Sequence, residues 1–334
     1  MQPDTALITI TDNLIKIRQL LNELVLQPRI NAIKWSRITK QTPNIKIGYP
    51  GQHLASLITG MEGERTGARG NDLCDGSEVK SCSRIDQLDK CNECGAPVAR
   101  LEELCPECNT DNIKRNNDSK WLFAIRSEDE LKLLTEDVKR VLLVIGDYFN
   151  FDEKDFNTLR FQTFEIWTNS PRGRVFKELM SNYYNNIYSK HKETNPGKTP
   201  APKNFWPYTF QFYMCNPIRT FACVITNANT DPRIDIQHYV EPDADRSALE
   251  SVLMPLGVLE TGELYQIIDR ATLAELNEML KDKVRSKAEL YALGAEGVRA
   301  NFKGINEQLR SYLTLRDTDR TAIAKKQYVR RKKA

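Results

Sequence analysis

Four cysteines constrain this chain more than any other feature. Cys91 and Cys94 form one Cys-x-x-Cys pair, Cys105 and Cys108 form a second, and ten residues separate the two. The segment from about Asp89 to Asn112 is too short to bury a core of its own, so something other than apolar burial must close it. Each pair can turn so that backbone N–H groups support thiolates, and two such turns make a closed tetrahedral site for Zn²⁺. Four protein ligands leave no open coordination position, so the expected zinc is structural. The other four cysteines, Cys74, Cys82, Cys215 and Cys223, have no paired spacing. They read as small buried hydrophobes of a reducing compartment.

The rest of the chain has to supply a conventional core. Of 334 residues, 40% are hydrophobic and 28% charged, enough for one large core or two modest domains. No stretch approaches the roughly 18–20 apolar residues that span a bilayer. The start, MQPDTALITITDN, lacks a basic region followed by an apolar core. A cytoplasmic protein without a membrane partner is the expectation. The net charge of +3 says little about nucleic acid. Its distribution says more: from Ser311 to Ala334 eight Lys or Arg face Asp317 and Asp319, a local charge of +6 that attracts phosphate.

Periodicity places the elements. Leu14, Ile17, Leu21, Leu24 and Val25 share a helix face over residues 12–26, with Pro28 predicted to end the helix. A short helix is expected over His53–Gly60, and a glycine-rich loop over 61–76. Short strands are expected at Ser77–Cys82 and Trp121–Arg126, and a helix at Glu128–Val138. The branched and aromatic runs Arg140–Phe149 and Leu159–Thr168 favour strands. Ser170 and Pro171 open a helix to about Ser189. Tyr208–Thr226 suggests two strands around Asn216-Pro217. The last hundred residues look mainly helical, with Thr272 and Glu275 spaced as a capping box. Three regions follow: a helical N-terminal part over 1–60, a core over 61–190 with the cysteine insert at 89–112, and a third region over 191–334 ending in the basic tail.

The segment GNDLCDGSEVKS, residues 70–81, carries the chemistry. In a strand, residues two apart point to the same face, so Glu78 and Lys80 project together while Val79 faces the core. Asp72, on the glycine-rich approach, can fold back beside Glu78. Two carboxylates of this kind suit Mg²⁺, a hard cation held by one or two acidic side chains together with water and phosphate oxygens. Such an ion stabilises the charge that develops when a phosphodiester is hydrolysed, and a neighbouring lysine can orient water or oppose that charge. Asp75 competes with Asp72 as a ligand, although beside Gly76 it also suits a turn. Glu62 and Glu64 are accessory ligand candidates, and Lys120, just before a strand, is a candidate phosphate contact. Arg172, Arg174 and Lys177 at the start of the helix near Pro171 suit phosphate or guanine contact. A zinc-assisted histidine nuclease fits poorly, because His53, His191 and His238 are scattered away from the cysteines.

The block GYPGQHLASLITGMEGERTGARGNDLCDGSEVKSCSRIDQLDKCNECG, followed by CPEC and NNDSKWLFAIRSE, resembles the MamI-type type II restriction endonucleases. The pattern from Asp72 to Lys80 also resembles the active site of the mismatch-repair nicking endonucleases, with the spacing between Asp72 and Glu78 one residue tighter. The resemblance implies an α/β fold of the PD-(D/E)xK kind, a central mixed sheet flanked by helices, here with an inserted zinc ribbon and a mainly helical C-terminal region. It implies Mg²⁺-dependent hydrolysis of double-stranded DNA leaving 5′-phosphate and 3′-hydroxyl ends, with Asp72, Glu78 and Lys80 as catalytic residues. It further implies an interrupted palindrome of GAT…ATC form, a homodimer matching that symmetry, and a companion DNA methyltransferase in a restriction-modification system. A repair nickase, a junction-resolving nuclease and a non-catalytic zinc-ribbon DNA-binding protein are the competing readings.

Overall fold

The computed structural model describes residues 1–43, 48–64, 72–85 and 87–320. Much of the glycine-rich approach to Asp72, and the basic tail from residue 321 on, lie outside the described residues.

Among the described residues ten strands follow one another: β1 (Glu78–Ser83), β2 (Leu88–Cys91), β3 (Pro97–Ala99), β4 (Ile113–Lys114), β5 (Trp121–Phe123), β6 (Val141–Tyr148), β7 (Leu159–Ile166), β8 (Lys203–Phe205), β9 (Ile218–Thr226) and β10 (Arg233–Tyr239). Five of them make the central sheet in the order β1-β6-β7-β9-β10. β1 runs parallel to β6, and the other neighbours are antiparallel, so the sheet is mixed. Every residue of β6 is buried, as a strand covered on both faces requires.

Helices cover the two faces. α1 (Asn13–Leu21), α2 (Gln27–Thr39) and α3 (Gly48–Thr59) precede the sheet in sequence. Ile17, Leu21, Leu54 and Ile58 from α1 and α3 pack with Leu142 and Val144 of β6 and Phe161 of β7. The opposite face, with Val141, Leu143 and Ile145, packs against α5 (Arg174–Asn182), α7 (Phe210–Met214), α8 (Thr261–Arg270) and α9 (Leu273–Met279). Two short helices, α4 (Glu128–Lys132) and α6 (Ser189–Thr194), complete the order up to α7, and α10 (Lys287–Ala292) follows α9. Among the described residues, no helix is long and apolar enough to cross a membrane.

Three expectations need correction. Pro28 does not end the first helix. The chain passes through a π-turn, Asn22–Leu26, and Pro28 falls in the first turn of α2, where a missing N–H costs no helical bond. Tyr208–Thr226 holds one strand, not two. Phe210–Met214 is helical because Phe210, Phe212, Tyr213 and Met214 are all buried among the aromatic residues Trp121, Phe164 and Phe205, and packing overrides strand propensity. Nor does the core stop at residue 190. β9 pairs onto β7, which without it would leave a long apolar edge open, and β10 pairs onto β9.

Candidate active site

A turn places Asp72. Asp72 N and Leu73 N both donate to Ser77 O, at 2.9 and 3.2 Å, and Gly76 adopts φ +84°, a left-handed conformation that glycine takes without strain. The chain therefore doubles back, and Asp72 Oδ2 accepts a hydrogen bond from Val79 N at 2.7 Å. Val79 lies between Glu78 and Lys80, whose side chains share the opposite face of β1. Lys80 Nζ pairs with Glu78 Oε1, and it sits 5.9 Å from the centroid of Phe123. The three side chains thus come together at an edge strand of the sheet. Glu78 and Lys80 keep 17% and 27% of their side-chain surface exposed, so the group reaches the protein surface.

Close packing fixes the strand that carries them. A Cβ on Gly51 of α3 would lie 2.0 Å from Ser81 Oγ, so only glycine lets this helix approach β1 so closely. Glu78 N donates to Arg140 O at 3.1 Å, which joins the start of β1 to the start of β6.

Burial raises the carboxyls of both Asp72 and Glu78. For Asp72, desolvation outweighs the Val79 N–H and the Lys80 charge. For Glu78 it outweighs the attraction and hydrogen bond of Lys80, with the Asp72 charge adding to the rise. One ammonium thus opposes two carboxylates in a partly dry setting, a donor set that a divalent cation with a preference for oxygen would complete.

The other expected residues are distributed unevenly. Asp75 turns away from Asp72 and pairs with buried Arg140 at 3.0 Å, while its other oxygen accepts Ser77 N. Arg140 also holds Glu165 at 3.1 Å, which commits Asp75 to a structural network. Glu62 and Glu64 run beside Asp72: Glu64 N donates to Asp72 O, Cys74 N donates to Glu62 O, and both glutamates are exposed. Lys120 Nζ lies 4.5 Å from the centroid of Trp206. Arg172 is held by Glu307 at 2.9 Å. Arg174 is exposed, with Glu178 at 3.8 Å, and Lys177 is half-buried in the same helix. Sequence reading passed over Arg140, because its partners lie 25–65 residues away and no local pattern marks it.

The cysteine insert is a second site. Cys91, Cys94, Cys105 and Cys108 bring their sulfurs within 4.8 Å of one another. The Cys91–Cys108 and Cys94–Cys105 pairs are 3.6 Å apart. Four thiolates about 2.3 Å from a central zinc would be roughly 3.8 Å apart, so the cluster fits that ion. The Cys94 N–H lowers the Cys91 thiol to about 6, whereas burial pushes Cys108 up to about 12. None of the three histidines belongs to the cluster. Charge closes the base of the insert: Asp89 takes a bidentate bond from Arg100, at 2.7 and 2.8 Å, and a further bond from Arg115 at 2.9 Å. The Arg100 guanidinium is packed among Tyr148, Phe151 and Phe156, at 5.0–5.4 Å from their centroids.

Comparison with known proteins identifies the family. A model described as MamI restriction endonuclease matches residues 34–256, which include the candidate site, the cysteine cluster and all five strands of the central sheet. The type II restriction enzyme MamI of Microbacterium ammoniaphilum is 39% identical over 57 residues, which are 17% of this chain and 18% of that protein. No solved structure matches the chain significantly. With two thirds of its length matched by the family model, the chain belongs to the MamI restriction endonuclease family.

Proposed function

We propose that this protein is a type II restriction endonuclease with a PD-(D/E)xK core, hydrolysing phosphodiester bonds of double-stranded DNA with Mg²⁺ at a palindromic, interrupted site. The observation that carries the reading is the convergence of Asp72, Glu78 and Lys80 on an accessible sheet edge. Asp72 and Glu78 would hold the cation. Asp75 is not proposed as a ligand, because Arg140 occupies it. Bound there, Mg²⁺ supplies positive charge to the oxygens on which negative charge accumulates.

The residues of the chain do the rest. Lys80, which pairs with Glu78, would turn its ammonium toward the attacking water and the phosphate where Glu78 holds a cation instead, and a fixed positive charge there favours the transition state over the ground state. Water oxygen bonds to phosphorus and gives up a proton to solvent, the bond to the 3′ oxygen breaks, and that oxygen takes a proton from solvent, giving the 5′-phosphate and 3′-hydroxyl ends. A palindromic site favours a homodimer with one such edge for each strand, and a cognate methyltransferase would protect host DNA. The four cysteines would bind zinc in a structural role.

Digestion of a sequenced supercoiled plasmid with Mg²⁺ tests the reading. Linear products with fixed ends are expected. Lys80→Ala should lower the rate on the order of 10²–10³-fold, and Glu78→Gln at least as much. Full activity of Glu78→Gln would refute the mechanism. Open circles alone would indicate a nickase, and intact supercoils a DNA-binding protein.

A further inference from the structure

Arg140, Arg160, Arg172, Arg316 and Arg320 are each matched by a carboxylate. Arg84 and Lys120 are different. Among the described residues neither has an acidic group within ion-pair distance, and Arg84 Nε is buried without a hydrogen-bond partner. Each rests on a ring instead. The Arg84 guanidinium is 5.5 Å from the centroid of Tyr208, and Lys120 Nζ is 4.5 Å from that of Trp206.

The topology aligns these two cations with Lys80. Arg84 leaves the end of β1, the strand that carries Lys80, and its N–H donates to Gly146 O at 2.8 Å. β5 brings Phe123 to Lys80 at one end and, at the other, continues back to Lys120. There the β5–β8 pairing, Trp121 opposite Phe205, sets Lys120 beside Trp206. Tyr208, two residues further on, is locked against the sheet: its hydroxyl accepts from Gln162 at 2.6 Å and donates to Asp147 at 3.1 Å. Asp147 cannot neutralise Arg84, because both its oxygens are taken by Arg160, at 2.7 and 2.8 Å.

A cation held over a ring, with no counter-charge among the described residues, keeps its outward face for an anion, and the ring limits the side-chain freedom lost on binding. From Lys80 to Arg84 the strand advances roughly 13 Å, about four base-pair steps of 3.4 Å along the duplex axis. We propose that Arg84 and Lys120 form a phosphate-binding strip that holds one flank of the duplex against the edge of β1, a few nucleotides from the phosphate addressed by Lys80. This rests on the proposed nuclease reading and adds the path of the DNA backbone across the protein.

The test is equilibrium binding of a short labelled duplex, in chelator so that no strand is cut, as a function of salt. Arg84→Ala and Lys120→Ala should each reduce the slope of log K against log salt by about 1. With binding at 1 M salt unchanged, that is a loss of roughly eightfold near 0.1 M, equal for every duplex sequence. Arg84→Lys and Lys120→Arg should keep the parental slope, and Lys287→Ala on α10 should leave it unaltered. Melting temperature identifies any variant that has lost its fold. Should Arg84→Ala do so, Lys120→Ala and the charge-conserving pair still decide. Parental slopes in both alanine variants would overturn the strip. Because cleavage is not read, a protein that binds with these slopes but never cuts would remove the nuclease reading and leave the strip in place. One that cuts with unaltered slopes would remove the strip alone, and a parent that binds no duplex would remove both.

Discussion

Burial holds the carboxyls of Asp72 and Glu78 above their ordinary values, with Lys80, among the described residues, the cation set against both. An acid whose folded pKa exceeds its unfolded value binds its proton more tightly in the native state. Its contribution to stability is therefore present below the ordinary values, 3.8 for Asp72 and 4.5 for Glu78, and is lost as pH rises through the raised folded values. At neutral pH in chelator, Asp72→Asn and Glu78→Gln should accordingly melt on the order of 1–2 °C higher than the parent. Added Mg²⁺ should raise the parental melting temperature but not that of Glu78→Gln. Lower melting of both variants, measured by calorimetry, would contradict the account. Glu78 and Lys80 were legible in the sequence because a single strand with period two relates them. The choice between Asp72 and Asp75 was not, because it is decided by Arg140, a residue 65 positions further along the chain from Asp75.

At the level of elements, the insert combines a four-cysteine cluster with a buried ion network. The four cysteines could be read from spacing alone, since the ligand atoms and the turns that present them are contiguous. How the insert attaches could not, because Arg100 reaches its aromatic neighbours Tyr148, Phe151 and Phe156 only through tertiary packing. Asp89→Ala strands two arginines without their carboxylate, one of them fully buried, and should destabilise the protein by about 3–5 kcal/mol in urea unfolding. A loss below roughly 1 kcal/mol would show that the network is dispensable. Removal of the proposed zinc would act on the same element. The clustered thiols repel one another when ionised without a cation, so metal release should steepen as pH falls and protons compete for the sulfurs. The strands at β6 and β7 were legible from their branched runs, whereas α7 was not, because a helix buried on all sides has no amphipathic period to detect.

Across the whole molecule, the sheet combines two local antiparallel pairings, β6–β7 and β9–β10, with two long-range joins, β7–β9 and the parallel β1–β6. β6, β7, β9 and β10 follow in chain order, but β1 reaches β6 only after the chain has passed through the insert and β5, pairing Glu78 with Val141. Closing the cysteine knuckle inside that crossover shortens the span to be ordered, and should speed final docking of β1 by no more than about threefold. Refolding followed by tryptophan fluorescence, with zinc or with chelator, would measure the difference, and equal rates would dismiss it. The β1–β6 join also bears on how such a protein is made. A polypeptide leaving the ribosome exposes Glu78 and Lys80 well before Val141 exists to receive them, so the edge that carries them is assembled only when translation has moved far past it. On the proposed nuclease reading, unfinished copies would therefore emerge disarmed and spare the genome of the cell that synthesises them.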